Sequence, residues 1–156
     1  MATAIECSSV VVDTMSWRGM VTHEKESDLW RTTLYRTTRH RLDGPAVEYV
    51  SGSKEWWIDG KPHRLDGPAV EYASGGKWWC MDGKRHRLDG PAYEGANGDK
   101  FWYVNGQKHR VDGPATEYAN GSRFWWVDGK RHRVDGPAVE RASGEKEWWV
   151  FGVRQK

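Results

Sequence analysis

Residues 40–62 read HRLDGPAVEYVSGSKEWWIDGKP, and most of that string returns four more times along the chain. His recurs at 40, 63, 86, 109 and 132, a spacing of 23 without a slip. Arg41, Arg64, Arg87, Arg110 and Arg133 fill the next column, and Asp43, Asp66, Asp89, Asp112 and Asp135 stand two places further on. Gly-Pro-Ala follows in every copy, beginning at Gly44, Gly67, Gly90, Gly113 and Gly136. A fixed period of about 20–50 residues marks a repeat architecture, whose units bury their apolar surface against their neighbours.

Each unit divides into two β-like runs joined by turn signals. The first is Ala46-Val47-Glu48-Tyr49 and the second Lys54-Glu55-Trp56-Trp57-Ile58, with Ser51-Gly52 between them. Later copies carry Asn97-Gly98 and Asn120-Gly121 there, a strong hairpin signal because both residues of a primed turn need positive φ. No unit has room for a helix of useful length. The predicted fold is all-β: an elongated antiparallel β-meander or solenoid of five 23-residue β-hairpin repeats. The repeats span 40–62, 63–85, 86–108, 109–131 and 132–156, and residues 1–39 form an N-terminal cap with a strand over Ile5 to Val12.

Alternation then assigns faces. Trp56, Trp79, Trp102, Trp125 and Trp148 form an unbroken Trp column, and Ile58, Met81, Val104, Val127 and Val150 an apolar one two residues on, so these predict the core side. A two-residue turn sets Val47 opposite Trp56 and Tyr49 opposite Lys54. It also sets Glu48 against Glu55, a like-charge pair that a four-residue loop relieves, so the register stays open. The opposite face holds a variable aromatic set. Trp57, Trp78, Phe101, Tyr103, Phe124, Trp126 and Trp149 are the candidate partner or ligand surface. Lys54, Lys77, Lys100, Arg123 and Lys146 make a basic line, with Glu48, Glu71, Glu94, Glu117 and Glu140 as its counter-line, which reads as a solvated ionic face.

Composition narrows the function. With 24 basic and 22 acidic residues the formal charge is +2, too balanced to draw nucleic acid or an anionic membrane by a global field. Cys7 and Cys80 have no metal-ligand spacing. The first residues lack a basic n-region and a long apolar run, so the expectation is a protein of a reducing cytoplasm.

His40 and Asp43 stand three apart, a pairing able to serve acid–base or metal chemistry. Yet five near-identical copies lack the distinct environments that catalysis needs, and no nucleophile recurs with them. The column therefore reads as turn chemistry: Asp bonds the backbone after it, Gly gives a tight bend and Pro sets φ. No catalytic, cofactor-binding or metal-binding residue is expected, and an enzyme built on His23 or His40 with Asp28 or Asp43 ranks last.

The run WWVDGKRH at 125–132 resembles the MORN repeat, and WxDGKxHRxDGPA units over 40–156 resemble more closely a MORN-like variant associated with phages and giant viruses. Gly136 falls four residues after His132, where standard MORN spacing has three; the Asp-Gly-Pro turn makes the difference. The resemblance implies a β-hairpin solenoid for binding or scaffolding, possessed by a virus and acting in a host cytoplasm. The leading expectation is a non-enzymatic protein that binds another protein, as an inhibitor or adaptor. The alternative is a small-molecule binder, since Gly-Lys-x-Trp-Trp hairpins are similar to choline- and glucan-binding repeats whose aromatic cages hold cations or sugars; a nucleotide is a variant of it. A membrane partner is not expected, nucleic acid is disfavoured, and a homodimer through a sheet edge is allowed.

Overall fold

The computed structural model describes residues 39–156. The cap at 1–39, its strand over Ile5 to Val12, and His23, Asp28 and Cys7 lie outside the described residues, Arg39 excepted. The described chain is all-β, as predicted, and its strands run in sequence order as an antiparallel meander.

Each repeat contributes two hairpins where the sequence predicts one. In the first copy β1 (Val47–Glu48) pairs with β2 (Lys54–Glu55), and β3 (Trp57–Ile58) pairs with β4 (Lys61–Pro62). The β1–β2 hairpin and its four equivalents join into one 10-stranded sheet. At about 4.8 Å per strand that sheet is roughly 43 Å across. The β3–β4 hairpin and its equivalents form five separate two-stranded pairs along the other side of the chain. Successive small hairpins are tied by backbone bonds, such as Arg64 N to Cys80 O at 3.2 Å and Gly83 N to Pro62 O at 3.0 Å.

Trp56 is the corner between the two layers. Its N–H donates to Ala69 O of the next repeat at 2.8 Å, and its carbonyl accepts from His63 N at 3.1 Å. The same two bonds recur at Trp79, Trp102 and Trp125. The run predicted as one strand over 54–58 is thus broken in its middle, and its second half starts a new hairpin.

The turns also differ from expectation. At Ser51-Gly52 the loop has three residues: Tyr49 N donates to Ser53 O at 2.9 Å and Gly52 N to Tyr49 O at 2.8 Å. Only Gly52 has positive φ, at 90°, which is a type I turn closed by a G1 bulge. Asn97 and Asn120 are absent from the left-handed residues, so Asn-Gly here is not a primed turn. The primed turn sits instead at Asp59-Gly60, with φ of 48° and 72°. It recurs at Asp82, Asn105, Asp128 and Phe151 with their glycines.

One residue of loop length moves the register by one. Val47 lies opposite Glu55 and Glu48 opposite Lys54, so Val47 does not face Trp56 and the Glu48–Glu55 clash is gone. A one-residue slip exchanges the faces of a strand. That corrects the core assignment. The invariant Trp column is half-buried at best, Trp148 being 49% exposed, and Met81 of the next apolar column is 38% exposed. Among the described residues the buried side chains are Ala69, Ala92, Ala115 and Ala138, all at 0%, together with Val47, Thr116, Ser122, Val139, Cys80, Tyr103 and Glu147. The alanines are those of Gly-Pro-Ala, one fully buried in each of four repeats.

The ionic face holds in its register. Across the sheet Glu48, Lys54, Glu71, Lys77, Glu94, Lys100, Glu117, Arg123, Glu140 and Lys146 stand opposite one another in strict alternation of sign. Opposite charges across strands are mildly stabilising, about 0.2–1 kcal/mol each.

Candidate binding site

The other face of the sheet carries Val47, Glu55, Val70, Trp78, Tyr93, Phe101, Thr116, Phe124, Val139 and Glu147 in strand order. Its middle is an aromatic row. Ring centroids are 4.2 Å apart for Trp78–Tyr93, 5.0 Å for Tyr93–Phe101, 5.3 Å for Phe101–Tyr118 and 5.7 Å for Tyr118–Phe124.

The small hairpins set a second row against it. Trp57, Tyr103, Trp126 and Trp149 point to this side, as does Cys80, whose buried thiol is pushed up in pKa by desolvation. Their cross-strand partners are Pro62, Arg85, Lys108, Arg131 and Arg154. That column of mostly cations was not recognised in the sequence, though its signal was there: it repeats every 23 residues, starting from Arg39.

The cations lie over the rings. Arg85 Cζ is 3.8 Å from the Trp78 centroid, Lys108 Nζ is 5.3 Å from Phe101 and 5.2 Å from Trp126, and Arg131 Cζ is 5.4 Å from Trp126 and 5.1 Å from Trp149. All seven sequence-predicted surface residues therefore share one face. Tyr103 is buried, at 8% exposure, while Trp57, Trp78, Phe101, Phe124, Trp126 and Trp149 are half-buried.

The two ends of this face differ from its middle. At one end Glu55 accepts from Trp57 Nε1 at 2.8 Å, from Tyr49 Oη at 3.1 Å and from Arg39 Nη1 at 3.2 Å. At the other, buried Glu147 accepts from Trp149 Nε1 at 2.9 Å and Arg141 Nη2 at 2.8 Å, with Arg131 Nη1 at 3.7 Å. The Arg141 and Trp149 hydrogen bonds hold the Glu147 carboxyl below the usual carboxylate range. Between the ends Glu gives way to Trp78, Phe101 and Phe124. Among the described residues Arg85 and Lys108 then have no carboxylate within ion-pair distance. Burial, with the fields of Arg131 and Arg85, pulls the Lys108 pKa down.

A recess of about 260 Å³ opens in this face, lined by Lys108, Thr116, Tyr118, Phe124, Trp126, Arg131 and Arg141. Thr116 Oγ1, Trp126 Nε1, Arg131 Nε and Arg141 Nε are buried along it and have no hydrogen-bond partner among the described residues, although Arg141 Nε lies 3.0 Å from Glu145 as an ion pair. Unpaired buried donors are costly, about 1–3 kcal/mol each.

The His-Arg-x-Asp-Gly column does different work. The Asp82 N–H donates to His63 Nδ1 at 3.1 Å, and Asp59, Asn105, Asp128 and Phe151 repeat the bond to their own His. The histidine holds the left-handed residue of the primed turn rather than capping a carbonyl. Arg64 donates through Nε to Asp66 at 2.9 Å and through Nη1 to Pro68 O and Glu71, and its guanidinium lies 4.0 Å from the Trp56 ring. Between Arg and Asp stands an aliphatic column, Leu42, Leu65, Leu88, Val111 and Val134, 78–82% exposed.

No protein-family model and no curated protein matches the chain.

Proposed function

We propose that this chain is a non-enzymatic binding protein that recognises another protein through its aromatic and basic face. The observation that carries this reading is the aromatic row from Trp78 to Phe124 beneath Arg85 and Lys108, cations without carboxylate partners among the described residues. Aromatic and arginine side chains are the residues enriched at interface hot spots, and a row along a multi-strand sheet offers length rather than a single deep cavity. The hairpin period is compatible with the MORN-like repeat, and on that analogy the partner is a host protein met by a viral inhibitor or adaptor.

A second reading has its own support. The recess at Trp126, with buried donors and rings, also suits a small anionic aromatic molecule such as a nucleotide.

The test is a pull-down of the tagged full chain from native lysate, beside an Arg85→Gln/Lys108→Gln variant of equal thermal stability. One protein in stoichiometric amount, lost in the variant, is the expected result. Recovery of no protein, or equal recovery by both chains, counts against the reading.

A further inference from the structure

The protein carries its own example of what this face binds. At Trp149 the indole N–H is met by a carboxylate, because Glu147 stands two residues before it. Trp57 is met in the same way by Glu55. Trp126 occupies the equivalent place one repeat earlier, but the residue two before it is Phe124, and its indole N–H has no partner among the described residues. The recess in front of it adds two further unpartnered buried groups, Thr116 Oγ1 and Arg131 Nε, and the ammonium of Lys108. Thr116 is 1% exposed, so water does not reach its side chain freely.

We infer that the recess at Trp126 receives the carboxylate of an Asp or Glu side chain from an acidic segment of the partner protein. That carboxylate takes the role Glu147 plays for Trp149. It accepts from Trp126 Nε1, Arg131 Nε and the Thr116 hydroxyl, and it neutralises Lys108. Arg141, the other cation of the recess, is already committed to Glu147 at 2.8 Å and Glu145 at 3.0 Å. A volume of about 260 Å³ exceeds the ~30 Å³ share of one water several-fold, which fits a side chain with its backbone rather than a lone ion. The inference rests on the protein-binding reading above and names the chemistry of its central contact.

Substitution Phe124→Glu supplies the missing carboxylate from within and should close the recess to an outside one. The experiment titrates the ¹⁵N-labelled full chain with a capped peptide of alternating Glu and Ala, its Gln counterpart, and inorganic phosphate. The Trp126 indole N–H resonance, assigned by its loss in Trp126→Phe, is the readout. The expected result is a shift with the Glu peptide alone, and affinity about tenfold or more weaker in both Phe124→Glu and Trp126→Phe, as loss of a charged hydrogen bond implies. Thermal melts verify that both variants are folded. No shift with the Glu peptide, undiminished affinity in Phe124→Glu, or a larger shift with phosphate overturns the inference. A lysate partner that depends on Arg85 and Lys108 but ignores Phe124→Glu would leave the protein-binding reading standing and remove only this contact. A Glu-peptide shift without any captured protein would remove the protein-binding reading and the partner contact with it, leaving only a carboxylate-binding recess.

Discussion

Arg110 lies over Trp102, its guanidinium carbon 4.2 Å from the ring centroid, and a Cβ on Gly113 would come within 3.0 Å of that same carbon. The arginine is sandwiched between an indole and a bare backbone. Gly113 is not in the left-handed region, so its lack of a side chain is needed for space rather than for φ. The same sandwich occurs at Gly67, Gly90 and Gly136 under Arg64, Arg87 and Arg133. Among the described residues no arginine lies over Trp148 in this way, and it is the most exposed tryptophan of its column.

Gly113→Ala should therefore destabilise by displacing Arg110, at a cost of about 1 kcal/mol for the cation–π contact. Arg110→Ala should cost more, since it also removes bonds to Asp112, Pro114 O and Glu117. In the double variant the two losses should not add, because the alanine methyl then has nothing to displace. Chemical denaturation of the four proteins measures this; full additivity refutes the sandwich.

His63→Ala removes the acceptor of the Asp82 N–H in a turn where φ is 50°. A loss of roughly 1 kcal/mol is expected from one bond of this kind. Capture of the partner should be unchanged. A variant that melts like the wild type but no longer binds would return the histidine column to the functional surface.

The turn aspartates predict acid sensitivity. Hydrogen bonds from Arg64 and from the backbone hold the Asp66 carboxyl below its usual 3.8, and Asp43, Asp89, Asp112 and Asp135 are lowered likewise. A carboxyl depressed in the folded state adds stability that is present above its unfolded pKa and is lost as pH falls through the folded one. Melting temperature should stay flat on acidification to the ordinary Asp range and fall below it. Asp66→Asn should weaken that fall; an unchanged slope would show that the pairs carry no linkage.

Phe151 occupies the left-handed position that Asp or Asn holds elsewhere, with φ of 47°. That conformation costs an ordinary residue about 1–2 kcal/mol. Its stack on His132, with centroids 4.0 Å apart, returns about 0.5–1.5 kcal/mol, less when exposed, and Phe151 is 61% exposed. Phe151→Asn should thus raise stability by a few tenths of a kcal/mol, read as a higher midpoint in urea. A clear loss would show that the stack outweighs the backbone strain.

The period, the all-β meander and the Glu–Lys ladder were legible because each follows from columns spaced by 23. What was not legible turned on one residue. Asn97-Gly98 suggests a primed turn, whereas the loop is a type I turn with a left-handed Gly98 at φ 95°. Ser51, Ser74 and Ser143 fill the Asn position in other copies and favour right-handed φ, which was the available hint. The like-charge pair Glu48–Glu55 was the other. Reading the unbroken Trp56 column as inward left the Trp57 column outward, whereas Cys80 and Tyr103 of the latter are buried and Trp148 of the former is exposed.

The seven aromatic positions named from the sequence share one face despite that reversal, since alternation keeps them together on whichever face they occupy. Lys108 and Arg131 were missed because they sit in β-pairs two residues long, after a turn that reads as the end of the repeat. Only the folded-back hairpin brings them over Phe101 and Trp126.

The central claim is that the aromatic and basic face, and not the ionic ladder behind it, meets the partner. Lys108 and Lys100 carry the same charge on the two faces of one repeat. The most direct measurement is the affinity of the captured partner for Lys108→Gln and for Lys100→Gln, by calorimetry on folded protein. The account predicts weakening of about tenfold for Lys108→Gln and little change for Lys100→Gln, as expected when only one charge is desolvated in the interface. Equal losses, or a loss confined to Lys100→Gln, would contradict it.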